Sequence, residues 1–168
     1  MDIQISNESI NDAARIHEVI AQAFLNALHT DHTEQFIVDA LRRAGALTIS
    51  RVAKVDGKII GYVAISPVTL SSGTTGWFGL GPVSVLPEFQ GCGVGSKLVK
   101  SSLSSLEAMG ASGCVVLGDP GYYSRFGFKA VDGLFYPGVP AEYFQALSFS
   151  GEVPKGNVSY HEAFSAKG

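Results

Sequence analysis

One stretch constrains the chain more than any other: Gly79 to Leu98, GLGPVSVLPEFQGCGVGSKL, where a proline-broken strand runs through a short turn into a glycine-rich helix start. Pro82 has no N–H to give a β-ladder, and Gly81 beside it favours a bulge. The strand is therefore expected to part from a neighbour here. That would leave the backbone of Val83, Ser84 and Val85 free to pair with an extended, amide-bearing ligand. Gly91, Gly93 and Gly95 follow just before an apolar helical pattern. Amides at a helix start are unpaired and sit at the positive end of the dipole, and glycines let an anion approach them closely. A split strand leading directly into such a cradle suits a ligand with amides along its length and a pyrophosphate at one end.

Other glycine loops fit less well. A Walker A loop needs a Gly-Lys-Ser/Thr ending, whereas Lys97 follows Ser96. A dinucleotide fingerprint needs G-x-G-x-x-G, and here the third glycine comes one residue early, in a loop past mid-chain. A plain strand-to-helix turn is the simplest alternative on glycine count alone.

The flanking sequence reads as one mixed fold. Apolar residues recur at helical spacing from Asn11 to Leu25. A second helix is expected with Asp31 as N-cap, Glu34 completing a capping box and Gly45 at the C′ position. Leu47 to Val55 and Ile59 to Ile65 read as a hairpin joined by Asp56-Gly57. Ser71 to Gly76 reads as a loop, Trp77 to Val85 as a strand, and about Val94 to Met109 as a long helix. Cys114 to Leu117 suits a central buried strand. A short helix near Pro120 to Arg125 and strands at roughly Ala141 to Phe149 and Asn157 to Phe164 complete the order. At 168 residues, with 46% hydrophobic and 16% charged residues, a single domain spanning 1–168 is expected. The net charge of −3 argues against a nucleic-acid binder. Two cysteines, Cys92 and Cys114, suggest neither a disulfide framework nor a metal site. No apolar run is long enough for a membrane span and no signal peptide is recognisable, so a cytoplasmic location is expected.

The segment Gln90-Gly91-Cys92-Gly93-Val94-Gly95 resembles the [QR]-x-x-G-x-[GA] motif of the GNAT acetyltransferases. The hairpin, the LGPVSVLPEFQ strand and turn, the long helix and GDPGYYSRFGF also resemble that superfamily in the expected order. Gly118 to Phe128 and Tyr136 to Phe144 are most similar to its bacterial YhbS-like group. The resemblance implies an α+β (mixed α/β) fold: a mainly antiparallel sheet, splayed between its fourth and fifth strands, with about four flanking helices. It also implies an acetyl-CoA-dependent N-acetyltransferase that moves an acetyl group to a primary amine by direct attack in a ternary complex. Acetyl-CoA would be held by Val83, Ser84 and Val85 along its pantetheine arm, with Gln90, Gly91, Cys92, Gly93, Val94, Gly95 and Ser96 around its pyrophosphate. No metal is implied. A non-catalytic CoA-binding or protein-interaction member of the same fold is the alternative.

Tyr123, followed by three residues and Gly-Phe, resembles the family tyrosine that acts as general acid at the CoA sulfur. A tyrosine keeps its proton at neutral pH, as that role requires; Tyr122 fits equally by composition. The Val85 N–H is the expected oxyanion donor. For a general base the candidates are Glu34, His32 and Ser84, with ordered water as a fourth route. Cys92 as a nucleophile lacks an adjacent histidine, while His17 and His161 read as surface or packing residues. The stiff run Phe135 to Pro140 reads as an acceptor-pocket wall, a homodimer contact or a connector.

Overall fold

In the computed structural model, which describes residues 1–28 and 30–168, the described residues form eight strands and four α-helices. They are β1 (Gln4–Asn7), α1 (Ala13–Phe24), α2 (Glu34–Arg43), β2 (Ile49–Val55), β3 (Lys58–Leu70) and β4 (Trp77–Val85). Then come α3 (Val94–Ala108), β5 (Gly113–Leu117), α4 (Pro120–Tyr123), β6 (Leu134–Phe135), β7 (Phe144–Ser148) and β8 (Gly156–Tyr160). The main sheet runs β1-β2-β3-β4-β5-β7, antiparallel except for the parallel β4–β5 pair. Two- and three-residue patches join β8 to β6 and to the far end of β3. The mixed α/β class, the mainly antiparallel sheet and the four helices are as expected from the sequence.

Asp56 and Gly57 both take positive φ, 51° and 76°, the geometry a two-residue hairpin turn demands. At the other end of that hairpin the chain departs from expectation. β3 does not stop at Ile65 but runs through Pro67 to Leu70. Pairing with β2 ends at Ile65 and pairing with β8 begins at Val68, so Pro67 falls in the interval between the two neighbours. A missing N–H costs least there.

The capping box does not form. α2 starts at Glu34, with Thr33 as N-cap, so Glu34 occupies the first helical position instead of the third. Its carboxylate accepts a hydrogen bond from Thr30 Oγ1 at 2.6 Å. Gly45 does take the left-handed C′ conformation, φ 67°, and Ala46 N–H closes back onto Leu41 C=O. The C-terminal strands are shorter than expected. Ala141–Tyr143 forms a 3-10 turn before β7, and Glu162–Ser165 forms another after β8, capped by His161 Nδ1 accepting from Ala163 N–H. The two-residue β6 was not anticipated.

Strand alternation gives the sheet two unlike faces. On one, α3 rests against Gly61, where an added Cβ would come 3.0 Å from Val94 Cγ1 and 3.2 Å from Leu98 Cδ1. Leu98, Val99 and Leu106 of α3 are fully enclosed there, each burial being worth about 1.5–3 kcal/mol before entropy is charged against it. On the other face, Tyr62 Oη meets Ser50 Oγ at 2.6 Å, and Ser50 passes the chain to Glu8 and on to Arg42 of α2. His17 of α1 binds Asp39 of α2 at 2.7 Å, locking the two helices together. Among the described residues no helix is long and apolar enough to cross a membrane.

Candidate acetyl-CoA site

Pairing between β4 and β5 is confined to Trp77–Leu80 against Gly113–Val116. Beyond that point β4 remains bound to β3 alone, with Val83, Ser84 and Val85 opposite Val63, Tyr62 and Gly61. The two strands diverge at Gly81-Pro82, which together face the single residue Ala64 across the ladder, with a cis peptide between them. Leu86 N–H donates to Ile60 C=O. Ladder alternation therefore turns the amide groups of Val83 and Val85 away from β3, into the gap that β5 has left. The Val85 carbonyl accepts from Gln90 Nε2 at 3.0 Å, tying the turn back to the strand and leaving the Val85 N–H directed into the gap.

The turn ends in a bare helix start. Gly91 and Gly93 have φ of 78° and 83°, and an added Cβ on either would meet nothing within 4 Å. Gly93 is the N-cap of α3, no side chain caps that end, and no acidic residue occupies its first turn. The first helical bond is Lys97 N–H to Gly93 C=O, so the amides before it point outward uncapped. A cleft of about 340 Å³ opens over them, bounded by Val85, Gln90, Gly91, Gly93, Gly95 and Tyr122, among others. The chemistry of this donor set fits a pyrophosphate.

The structure brings most of the sequence-predicted residues to this cleft: Val85, Gln90, Gly91, Gly93, Val94, Gly95 and Ser96 all line it. Cys92 is exposed, with its thiol turned toward Gln90 C=O at 3.8 Å. Ser84 is buried on the sheet face away from α3, and Val83 joins the core through its side chain. Of the base candidates, Glu34 is held by Thr30, and His32, with φ 56°, lines a small hollow beside Phe24 and Gln35.

The two adjacent tyrosines part company. Asp119 accepts from Gly121 N–H and starts α4 at Pro120, and this single turn sends the rings in different directions. Tyr122 lines the cleft, and its hydroxyl lies 2.9 Å from the position of a Cβ on Gly95. Tyr123 lies on Gly118, where a Cβ would come 2.4 Å from its ring, at the end of β5 just past the split. Its other faces meet Phe126 and Phe128. Burial pushes the Tyr123 hydroxyl up to about 12, so it holds its proton throughout the physiological range. Arg125 was not singled out from the sequence; its guanidinium stands 4.5 Å over the Tyr122 ring and borders the same cleft. Only its place in the YYSRFGF run gave any sign of this.

A larger hollow, about 670 Å³, lies toward the β1 edge, lined in part by Glu8, Arg42, Arg51 and Ser105. Its polar side chains are engaged with one another: Arg42 with Glu8, and Arg51 with Asn7 and Ser105.

Comparison with known proteins bears on the family and the fold. Residues 47–130 match the model of the acetyltransferase (GNAT) domain. The uncharacterized N-acetyltransferase YhbS of Escherichia coli K12 is 41% identical over 108 residues, which are 64% of this chain and 65% of that protein. The matched stretch thus covers just under two thirds of that relative's length. Among solved structures, a GNAT family acetyltransferase from Brucella melitensis in complex with acetyl-CoA is 48% identical, with a TM-score of 0.88 over 98% of this chain and 99% of that one. Escherichia coli YhbS in complex with CoA is 35% identical, with a TM-score of 0.87 over 99% and 93%. On the family model and on these full-length structural matches, the chain belongs to the GNAT acetyltransferase family.

Proposed function

We propose that this chain is an acetyl-CoA-dependent N-acetyltransferase acting on a primary amine by direct attack in a ternary complex. One observation carries the reading: β4 leaves β5 at Gly81-Pro82 and leads, within one short turn, into an uncapped glycine helix start. The amide groups of Val83 and Val85 would pair with the pantetheine arm, and the amides of Gly91 to Ser96 would hold the pyrophosphate. Gln90 sets the turn, while Cys92 contributes only its backbone. The bound complexes of the two similar structures, with acetyl-CoA and with CoA, support the choice of ligand.

Acetyl-CoA supplies an activated acyl carbon, and the protein has three tasks. The Val85 N–H, directed into the split, stabilises charge on the carbonyl oxygen. Enclosure between β4 and β5 orients the carbon and keeps bulk water from competing. The Tyr123 hydroxyl gives its proton to the sulfur as the C–S bond breaks and the new C–N bond forms; water takes the proton lost by the amine. The test is thiol release from acetyl-CoA over a panel of primary amines. Release that rises saturably with one added amine, together with its N-acetyl product by mass spectrometry, supports the reading. Release at the amine-free rate across the panel by protein that binds acetyl-CoA contradicts it.

A further inference from the structure

Gln145 of β7 is only 1% exposed, and its amide is half satisfied. Nε2 donates to the carbonyl of Gly118 at 3.2 Å, whereas Oε1 is buried without a hydrogen-bond partner among the described residues. A carbonyl can only accept, so turning the amide over would set two oxygens against each other. An unpaired buried oxygen works against folding, and an apolar side chain of similar size would avoid that cost. Fold stability alone does not account for a glutamine here.

What the amide holds is the end of β5. Pairing with β4 stops at Val116, and Leu117, the last residue of β5, faces Phe144 of β7. Gly118 comes next. Its N–H donates to Tyr143 C=O at 3.0 Å and its C=O accepts from Gln145, so both backbone groups are anchored at the start of β7. The Tyr123 ring rests on this glycine. A Cβ there would come 2.4 Å from Cε2 and 3.5 Å from Cζ, the carbon that carries the hydroxyl. A second wall of the ring hangs on the same strand. Phe128 meets it at 6.1 Å between centroids, and the next residue, Lys129, exchanges backbone hydrogen bonds of 3.1 and 2.8 Å with Ala146. β7 itself lies outside the cleft.

We infer that Gln145 is a positioning residue for acetyl transfer: by holding the Gly118 carbonyl it fixes the platform under the Tyr123 ring, and so sets where the Tyr123 hydroxyl meets the sulfur. This rests on the N-acetyltransferase reading above, with Tyr123 as the acid. Gly118 has no side chain to stand between backbone and ring, so a shift of its backbone passes directly to the tyrosine. A displacement of about 1 Å can cost on the order of a hundredfold in rate.

Gln145→Met keeps the bulk of the side chain and removes the amide. With acetyl-CoA and hydroxylamine, a small nucleophile, kcat for thiol release should fall about tenfold while the calorimetric Kd for acetyl-CoA stays unchanged. In the Tyr123→Phe background the same substitution should change kcat less than about twofold, because the group it positions is gone. In protein carrying carbon-13 at the tyrosine Cζ, the Tyr123 signal, identified by its loss in Tyr123→Phe, should move or broaden. The Tm should stay within about 4 °C. Gly118→Ala, which lifts the ring from below, should reproduce the loss of kcat at unchanged Kd, and carries the test if Gln145→Met does not fold. An equal loss of kcat in both backgrounds, or an unmoved Tyr123 signal, would make Gln145 merely structural and overturn the assignment. Failure of the unaltered protein to bind acetyl-CoA would instead overturn the acetyltransferase reading, and the ring signal would still decide whether Gln145 places Tyr123.

Discussion

The hydroxyl of Tyr122 and the α-carbon of Gly95 are fitted to each other, leaving only 2.9 Å between the oxygen and the place a methyl group would occupy. Gly95 is in the first turn of α3 and Tyr122 in the turn of α4, so this contact joins the two elements that flank the cleft. Gly95→Ala should push the tyrosine aside and raise the Kd for acetyl-CoA by about tenfold, near 1.4 kcal/mol. Its Tm should change little, because the better helix propensity of alanine, about 1 kcal/mol, offsets the displacement. Adding Tyr122→Phe removes the obstructing oxygen and should restore affinity in the double variant. Calorimetry on all four proteins of the cycle checks the coupling.

Gly93 makes a different demand. Its Cβ would meet open space, but its φ of 83° is one that side chains rarely adopt. Gly93→Ala should therefore cost about 1–2 kcal/mol through backbone strain, seen as a lower Tm and a modestly weaker Kd. Gly93→Glu adds a carboxylate beside the amides that would meet the pyrophosphate, and should weaken acetyl-CoA at least a hundredfold, about 2.7 kcal/mol. Equal effects of the two variants on Kd would show that charge at this position is irrelevant.

Tyr123→Phe should lower kcat about a hundredfold and leave the Kd for acetyl-CoA unchanged, the signature of a lost general acid. Tyr122→Phe should keep kcat within a few-fold. The reverse pattern would give the proton to Tyr122. With Tyr123 near 12, no alkaline limb from this residue should enter the rate profile below about pH 11.

Four buried acids predict alkaline instability. Burial raises Tyr62, Tyr160 and Tyr123 from an ordinary 10.0, and Cys114 from 9.0. Each raised group keeps its proton in the folded state after the unfolded chain has lost it. The stability it contributes is full below the ordinary value and lost as pH rises toward the folded one. Urea midpoints should therefore hold to about pH 9 and fall steadily above it. A flat profile from pH 9 to pH 11 would contradict the burial of these hydroxyls and of the thiol.

Local chemistry made much of this readable in advance. Asp56-Gly57 marks its own hairpin, Pro82 marks the strand's departure from β5, and the spaced glycines mark the helix start, because each acts through its own backbone. What depended on distant partners was not readable. β3 outlasts Pro67 only because β8 arrives to take over from β2. Thr30 holds Glu34 only because α2 begins later than its capping pattern implied. Tyr122 and Tyr123 are neighbours of one type, and only the single turn of α4 decides which ring faces the cleft and which lies on Gly118. Tyr160 reaches Gly79 through a pairing of β8 with β3 that nothing local in either segment announces.

The proposed acetyl-CoA site joins the split between β4 and β5 to the glycine helix start. Calorimetric titration of the purified protein, cleared of co-purified ligand, tests it most directly, with ATP as the comparison and Gly93→Glu as the control variant. Saturable binding of acetyl-CoA at micromolar Kd, absent for ATP and lost in Gly93→Glu, is the predicted result. No binding of acetyl-CoA or CoA by the folded protein, or equal binding by Gly93→Glu, would contradict it.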